Sequence, residues 1–212
     1  ESSHRPHQPS ETLARRYGDC KDKTFLMIEL LRGLGIQAQP VLLSTRNRVG
    51  LAKLLPSPYA FDHAIVHVKL DGRSYYLDPT RQGQGGKLDR MGQTHEAAEV
   101  LVVNVGSNQL TTIASPNYAE LTRDELREKV TVPKFGNEAT LESRQTWSGA
   151  GAEIRRQIFK RMPKDQLEKM LLEPYESRYP GIKRTADSVF EDDLVNNQMT
   201  LVQKYTSPKL AI

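Results

Sequence analysis

The chain has 212 residues, of which 37% are hydrophobic and 26% charged, so it can bury a core without cross-links. Its 30 basic and 26 acidic residues are interspersed along the sequence and form no run of one sign, which argues against a nucleic-acid-binding surface. No apolar run approaches the roughly 20 residues that cross a bilayer, and a single cysteine excludes an intramolecular disulfide. We therefore expect a soluble globular chain that does not bind nucleic acid.

The first part of the chain predicts a loop followed by a helix. Residues 1–11, ESSHRPHQPSE, lack helical or strand periodicity, and their histidines, His4 and His7, have no partner that the sequence identifies. Apolar side chains then recur on one helical face until two glycines interrupt them. This pattern predicts a helix from about Cys20 to Arg32.

The residues around Cys20 predict the first turn of that helix. Asp19 is a good N-cap, and Asp22 can complete a capping box. Cys20 would then lie where unpaired N–H groups and the helix dipole, with Lys21 and Lys23, favour a thiolate and could stabilise an oxyanion. Taken alone, however, a lone cysteine is more often a small buried hydrophobe.

The next segment predicts a sheet. Residues 36–45 read as a strand, and residues 46–62 as a long loop with a helical turn. Two alternating runs flank Asp71-Gly72, the strongest short signal for a two-residue hairpin turn. One face of that hairpin is apolar and is predicted to join the core: Ala64, Val66, Val68, Leu70, Tyr75 and Leu77.

The other face of this hairpin carries polar side chains. With a two-residue turn, His63 and Asp78 are diagonal neighbours, close enough for the carboxylate to reach the imidazole. A three-residue turn would place them on opposite faces. His67 also lies on this face but farther from Asp78, and we interpret it as an ordinary strand-face histidine.

Beyond the hairpin, residues 82–86, QGQGG, predict a flexible loop on the substrate side, and residues 97–105 predict another strand. The stretch Ser115-Pro116-Asn117 predicts a domain boundary. After it, we expect two hairpins, one of which turns near Gly136-Asn137.

These hairpins are expected to enclose two helices. The helices are predicted at about residues 152–161 and 165–175, with prolines at their ends. The first carries basic residues beside an apolar stripe of Ile154, Ile158 and Met162, which we interpret as packing on its own domain.

Cys20, His63, His67 and His95 are residue types that can ligate zinc. His63 and His67, however, lie four residues apart on a strand, about 13 Å between Cα atoms. Two ligands of one zinc ion, each about 2 Å from it, cannot be so distant. We predict no metal site and no cofactor.

The order Cys20, His63, Asp78, set in YGDCKDKT, FDHAIVHV and YYLDPT, closely resembles the bacterial transglutaminase-like superfamily. Members use a papain-like triad of thiol, imidazole and carboxylate. The resemblance covers about Arg5 to Val105. It implies that Cys20 is the nucleophile, His63 the general base and acid, and Asp78 the orienting group.

The resemblance also implies an α+β architecture. A papain-like or transglutaminase-like core would occupy residues 1–114, with a Cys-bearing helix on an antiparallel sheet. A smaller α+β domain of unknown role would follow in residues 115–212. Helices that usually precede the cysteine motif, and often a β-rich domain before them, do not appear, so the N-terminal part of the family architecture is expected to be missing.

The resemblance extends to the surroundings of the triad. The helix N-terminus at Asp19 and Cys20 would supply the oxyanion donor. Tyr17, Gly18, Asp62 and Tyr76 would line the substrate cleft, with Tyr76 standing where the family usually has tryptophan.

The expected function is thiol-dependent acyl transfer or amide hydrolysis on peptide or protein substrates. An amine acceptor would make the chain a transglutaminase-like acyltransferase, and water would make it a cysteine peptidase or amidase. The alternative is a non-catalytic peptide-binding or scaffold module with a degenerate cleft. The resemblance places the parent protein in the periplasm or at a membrane, and the sequence leaves the oligomeric state open.

Overall fold

The structure is a computed structural model that describes residues 5–115, 117–134 and 136–208. The chain forms two compact units: residues up to 81 with 93–118, and residues 82–92 with those from 119 onward. The predicted boundary after residue 114 differs in placing residues 82–92 in the first domain. His4 of the predicted opening loop and Pro116 of the predicted boundary lie outside the described residues.

The first unit combines two helices with one antiparallel sheet in the order β3-β2-β1-β4-β5. The longer helix packs against β1 and β2. This arrangement confirms the α+β class and the Cys-bearing helix. The elements are Pro9–Arg15 (α1), Cys20–Gly33 (α2), Ala38–Leu43 (β1), His63–Leu70 (β2), Arg73–Leu77 (β3), Glu99–Val102 (β4) and Thr111–Thr112 (β5), with 3₁₀ turns at Leu51–Lys53 and Pro58–Ala60.

Helix α1 begins inside the segment that was predicted to be a loop. Its 7 residues start at Pro9, whose fixed φ suits a first helical position. A helix this short cannot show a recurring apolar face, because such a pattern needs a window of about 11 residues or more.

The β2–β3 hairpin has the predicted turn and register. Asp71 and Gly72 have φ values of 50° and 76°, the left-handed pair that a tight hairpin turn requires. Leu70 pairs with Arg73, so the two-residue alternative is confirmed. Leu70 itself is 41% exposed, because it lies at the hairpin end, and its predicted place in the core was wrong.

Both faces of this sheet are buried. Ala64, Val66, Val68 and Leu77 are buried on one face. The opposite face, which carries the histidines, also packs into a core, so it is not an open polar surface. That core consists of Val41, Leu43, Ile65, Ala98, Val100 and Ile113.

The N-terminus of α2 is fixed by a buried carboxylate. Asp19 and Asp22 form the predicted capping box, and Asp22 is only 4% exposed. Asp22 also accepts the backbone N–H of His7 at 2.8 Å and lies 3.2 Å from its ring. His7 therefore has a partner, contrary to the prediction, and a Cβ added to Gly18 would lie 2.7 Å from the Cβ of Asp22.

The second unit is built on another antiparallel sheet, in the order β6-β7-β10-β8 with β9 also paired to β10. Across the described residues, no helix combines the length and apolarity that a membrane span needs. The elements are Tyr118–Leu121 (α3, where the chain enters this unit), Asp124–Thr131 (β6), Ala139–Ser148 (β7), Ala150–Arg161 (α4), Lys164–Arg178 (α5), Lys183–Arg184 (β8), Val189–Asp193 (β9) and Gln198–Ser207 (β10), with a 3₁₀ turn at Leu88–Arg90.

Two details of the second unit differ from the sequence prediction. Helix α5 continues through Pro174 to Arg178 and does not end near residue 175. Residues 82–86 are not a flexible loop, because the Gly83 carbonyl accepts from Arg156 at 3.2 Å and Gly86 donates to Leu194 at 2.6 Å. These contacts join residues that are distant in sequence, which no local pattern reveals.

We predict that Asp22→Asn destabilises the first unit. Asp22 accepts the His7 N–H at Oδ1 and the Asp19 N–H at Oδ2, so the NH₂ of asparagine would face one of these two donors and leave it without an acceptor. The free energy of unfolding should fall by about 1–3 kcal/mol, measured by urea unfolding followed by circular dichroism. Glu29→Gln, an exposed change in the same helix, should stay within about 0.5 kcal/mol of the wild type. Equal losses in both variants would contradict a special role for Asp22.

Candidate active site

Cys20 meets His63 where helix α2 and strand β2 both begin. Their side chains lie close enough for the His63 imidazole to lower the pKa of the Cys20 thiol, and the backbone of Ala64 acts in the same direction. One turn along α2, the Thr24 hydroxyl donates to the Ala64 carbonyl at 3.0 Å. This buried bond ties the helix to the strand and so holds the thiol beside the imidazole.

His63 in turn contacts Asp78, just beyond the end of β3. The His63 Nε2 lies 2.9 Å from the Asp78 Oδ2. An ionised carboxylate only accepts hydrogen bonds, so Nε2 carries the proton and Nδ1 is left for the thiol. The structure thus brings the three predicted side chains together, with Cys20 beside His63 and His63 bonded to Asp78.

Asp78 has a second imidazole partner that the sequence did not reveal. The His95 Nε2 lies 3.2 Å from the same Oδ2. Gln93 positions this segment, since its Oε1 accepts the His95 backbone N–H at 2.9 Å and its Nε2 donates to the Tyr76 carbonyl at 3.0 Å. His95 lies outside any regular element, so no periodicity could have linked it to Asp78.

The other oxygen of Asp78 is held by Thr80. Oδ1 accepts from the Thr80 N–H at 2.9 Å and from its hydroxyl at 2.6 Å. An aspartate that bonds the backbone two residues on is a local turn motif. The sequence Asp78-Pro79-Thr80 therefore carries a local signal for this contact.

These contacts set the charges of the site. The hydrogen bond from His63 lowers the pKa of Cys20, against the opposing effect of burial. Burial by itself would lower the pKa of His63, but its bonds to Asp78 and Cys20 raise it to about 9. Burial would raise the pKa of Asp78, yet its bonds from His63, His95 and Thr80 hold that pKa well below the usual range. The site thus favours a thiolate beside an imidazolium.

The first turn of α2 leaves one donor beside the thiol. Asp19 accepts the N–H groups of Lys21 and Asp22 at 3.1 and 3.3 Å. The Cys20 N–H has no acceptor among the described residues. It is therefore available to an oxygen that develops negative charge near the sulfur.

Two of the four predicted cleft residues share a groove. Tyr17, which is 69% exposed, and Gly18 line a space of about 360 Å³ together with Pro79, the neighbour of Asp78. Apolar side chains of α1 and α2 complete the lining: Leu13, Leu26, Met27 and Leu30.

The other two predicted cleft residues do not line that groove. Asp62 accepts from the backbone and hydroxyl of Thr45 at 2.7 and 3.0 Å, which ties the end of β1 to the start of β2. Tyr76 packs against the core of the sheet and lies 5.1 Å from the ring of His67.

The side chains of His63, Asp78 and His95 could also ligate a metal, because their ligand atoms all lie within 4.8 Å of one another. His67 bonds Ser74 at 3.0 Å instead. A metal would need both imidazole Nε2 atoms deprotonated. The N–O distances of 2.9 and 3.2 Å are those of hydrogen bonds, so the three groups satisfy one another without an ion.

Comparison with known protein families finds a match for the first part of the chain. Residues 1–79 match the model of the transglutaminase-like superfamily. The resemblance read from the three motifs is thereby confirmed for this segment, which contains Cys20, His63 and Asp78. Thr80, His95 and all of the second unit lie beyond it. No curated protein and no solved structure matches the chain.

We predict that His95 positions Asp78. His95→Phe should slow alkylation of Cys20 near neutral pH by roughly three- to tenfold. A hydrogen bond to a charged group is worth about 1.5–3 kcal/mol, and its loss at Asp78 affects the thiol only indirectly, through His63. His95→Gln, which retains an N–H donor, should recover much of the rate. His67→Phe is the control, because His67 lies on the same sheet face as His63 but does not contact Asp78. An equal loss of alkylation rate in this variant would refute a specific role for His95.

Proposed function

We propose that this chain catalyses thiol-dependent acyl transfer from a peptide or protein carboxamide, with Cys20 as nucleophile. The observation that carries the proposal is the arrangement in which Cys20 lies beside His63 and the His63 imidazole bonds Asp78 at 2.9 Å. A thiol needs an imidazole to move protons, and the imidazole needs a partner that fixes its tautomer. All three lie within the transglutaminase-like segment.

In the first half-reaction, the Cys20 thiolate attacks the carbonyl carbon and a C–S bond forms. The carbonyl oxygen becomes an oxyanion, which the Cys20 N–H can stabilise. The His63 imidazolium then donates its proton to the leaving nitrogen. The C–N bond breaks, ammonia or an amine departs, and a thioester remains on Cys20.

In the second half-reaction, neutral His63 removes a proton from the acceptor, an amine or water. The acceptor attacks the thioester, the C–S bond breaks and the thiolate is restored. Asp78 stays ionised throughout and stabilises the imidazolium. An amine acceptor gives transglutamination, whereas water gives hydrolysis, and the same residues serve both.

The resemblance supports two further parts of this proposal: that the protein is bacterial and that it resides in the periplasm or at a membrane. Fractionation of the source cells with an antibody against this chain tests the location. Recovery in the cytoplasmic fraction alone would contradict it.

A glutamine-containing peptide with a fluorescent amine tests the reaction directly. We expect ammonia release, together with either amine incorporation or a free glutamate product. Cys20→Ala should reduce kcat/KM by roughly a thousandfold or more. His67→Ala, a histidine outside the triad, should retain activity. Peptide binding without turnover in the wild type would contradict catalysis and support a non-catalytic peptide-binding module.

The pH dependence should be bell-shaped. As pH rises, kcat/KM should increase while the Cys20 thiolate forms, and it should fall as pH passes about 9, where His63 loses the proton that the leaving group needs. Steady-state rates across this range measure it, with and without EDTA. Loss of activity on chelation would contradict a metal-independent thiol mechanism and point to an ion among His63, Asp78 and His95.

A further inference from the structure

The second unit contains a groove that the proposed chemistry does not use. Helices α4 and α5 leave part of one face of its sheet uncovered, and the space between them has a volume of about 530 Å³. Small-molecule sites typically have about 300–1,000 Å³. Side chains from three strands form the floor: Leu126 from β6, Gln145 and Trp147 from β7, and Leu201 from β10.

The walls of this groove are apolar and partly exposed. Ile154 and Ile158 of α4 are 45% and 39% exposed, and Met170 of α5 is 38% exposed. The first two belong to the apolar stripe that was expected to pack on its own domain. The helix does pack on the sheet of its own unit, but these two side chains leave part of their surface beside the groove, where an apolar ligand could cover it.

The charge beside these walls is positive. The Arg155 guanidinium lies 4.9 Å from the centre of the Trp147 ring and pairs with no carboxylate in the part of the chain that is described. Arg178, at the other side, is neutralised by Glu128 at 3.0 Å. Arg155 therefore leaves the groove with an uncompensated cation, which suits an anionic ligand.

Trp147, which lines the groove, also carries a donor without an acceptor. The Nε1 of Trp147 is buried and has no hydrogen-bond partner among the described residues. A buried N–H without an acceptor costs about 1–3 kcal/mol. Arg155 and Trp147 both carry N–H donors and no acceptors on their side chains, so they favour a ligand that brings acceptor atoms.

We propose that this groove binds a single-chain amphiphile with a carboxylate head group, such as a fatty acid. The alkyl chain lies between the sheet and the two helices, and the carboxylate meets Arg155. A cationic head group would be repelled there. All residues that line the groove belong to the second unit, and the proposal does not depend on the proposed acyl transfer.

Trp147 is the one tryptophan of the chain, so its fluorescence reports on the groove directly. We would titrate the full chain with dodecanoate, dodecanol and dodecyltrimethylammonium, all below their micelle concentrations. Dodecanoate should change the emission saturably and bind at least about tenfold more tightly than the ammonium compound, because its head group can form a charge-assisted hydrogen bond. Equal affinity for all three would overturn the carboxylate preference.

Arg155→Gln should weaken dodecanoate binding about tenfold and leave dodecanol binding unchanged. Because Arg155 covers the fluorophore, calorimetry should measure this variant, and circular dichroism should check its fold. Arg144→Gln is the matched control, since Arg144 lies on β7 but lines a different surface and pairs with Glu191. An equal loss in both variants would refute the site.

Ile158→Glu is an independent test, because it places a carboxylate on the exposed wall. It should abolish dodecanoate binding in a folded chain. Undiminished binding would overturn the proposed location. An emission shift that depends on protein concentration, without any amphiphile, would show a second copy of the chain in the groove and would also overturn the proposal.

Discussion

The candidate active site depends on the hydrogen bonds of one buried carboxylate. Asp78 uses Oδ1 for Thr80 and Oδ2 for both His63 and His95. These bonds keep it ionised despite burial, and the ionised form fixes the proton on the His63 Nε2. The tautomer of His63 follows from this arrangement, and His63 in turn lowers the pKa of Cys20.

The surrounding fold places β2, β3 and the start of α2 close to that carboxylate. The tight turn at Asp71-Gly72 sets the register of the hairpin that carries His63 and ends just before Asp78. The Thr24 bond and the buried Asp22 fix the start of α2. Stability of the first helical turn and reactivity of the thiol are thus linked through the same short segment.

The sequence was most informative where contacts are local. The hairpin turn and the capping box of Asp19 and Asp22 follow from residues a few positions apart, and the three motifs singled out Cys20, His63 and Asp78. It did not predict contacts that depend on tertiary structure, such as the hydrogen bonds of His95 with Asp78 and of His7 with Asp22. Leu70 was misplaced because periodicity identifies a face of a strand but not where burial ends.

The most direct test of the central claim is a pH titration of the Cys20 thiolate by its ultraviolet absorbance, in the wild type and in His63→Ala. A thiolate–imidazolium pair predicts thiolate absorbance already at about pH 6 in the wild type and none there in the variant. A thiol that titrates at its ordinary value of about 8.5 in both proteins would contradict the pair, and with it the catalytic role of Cys20.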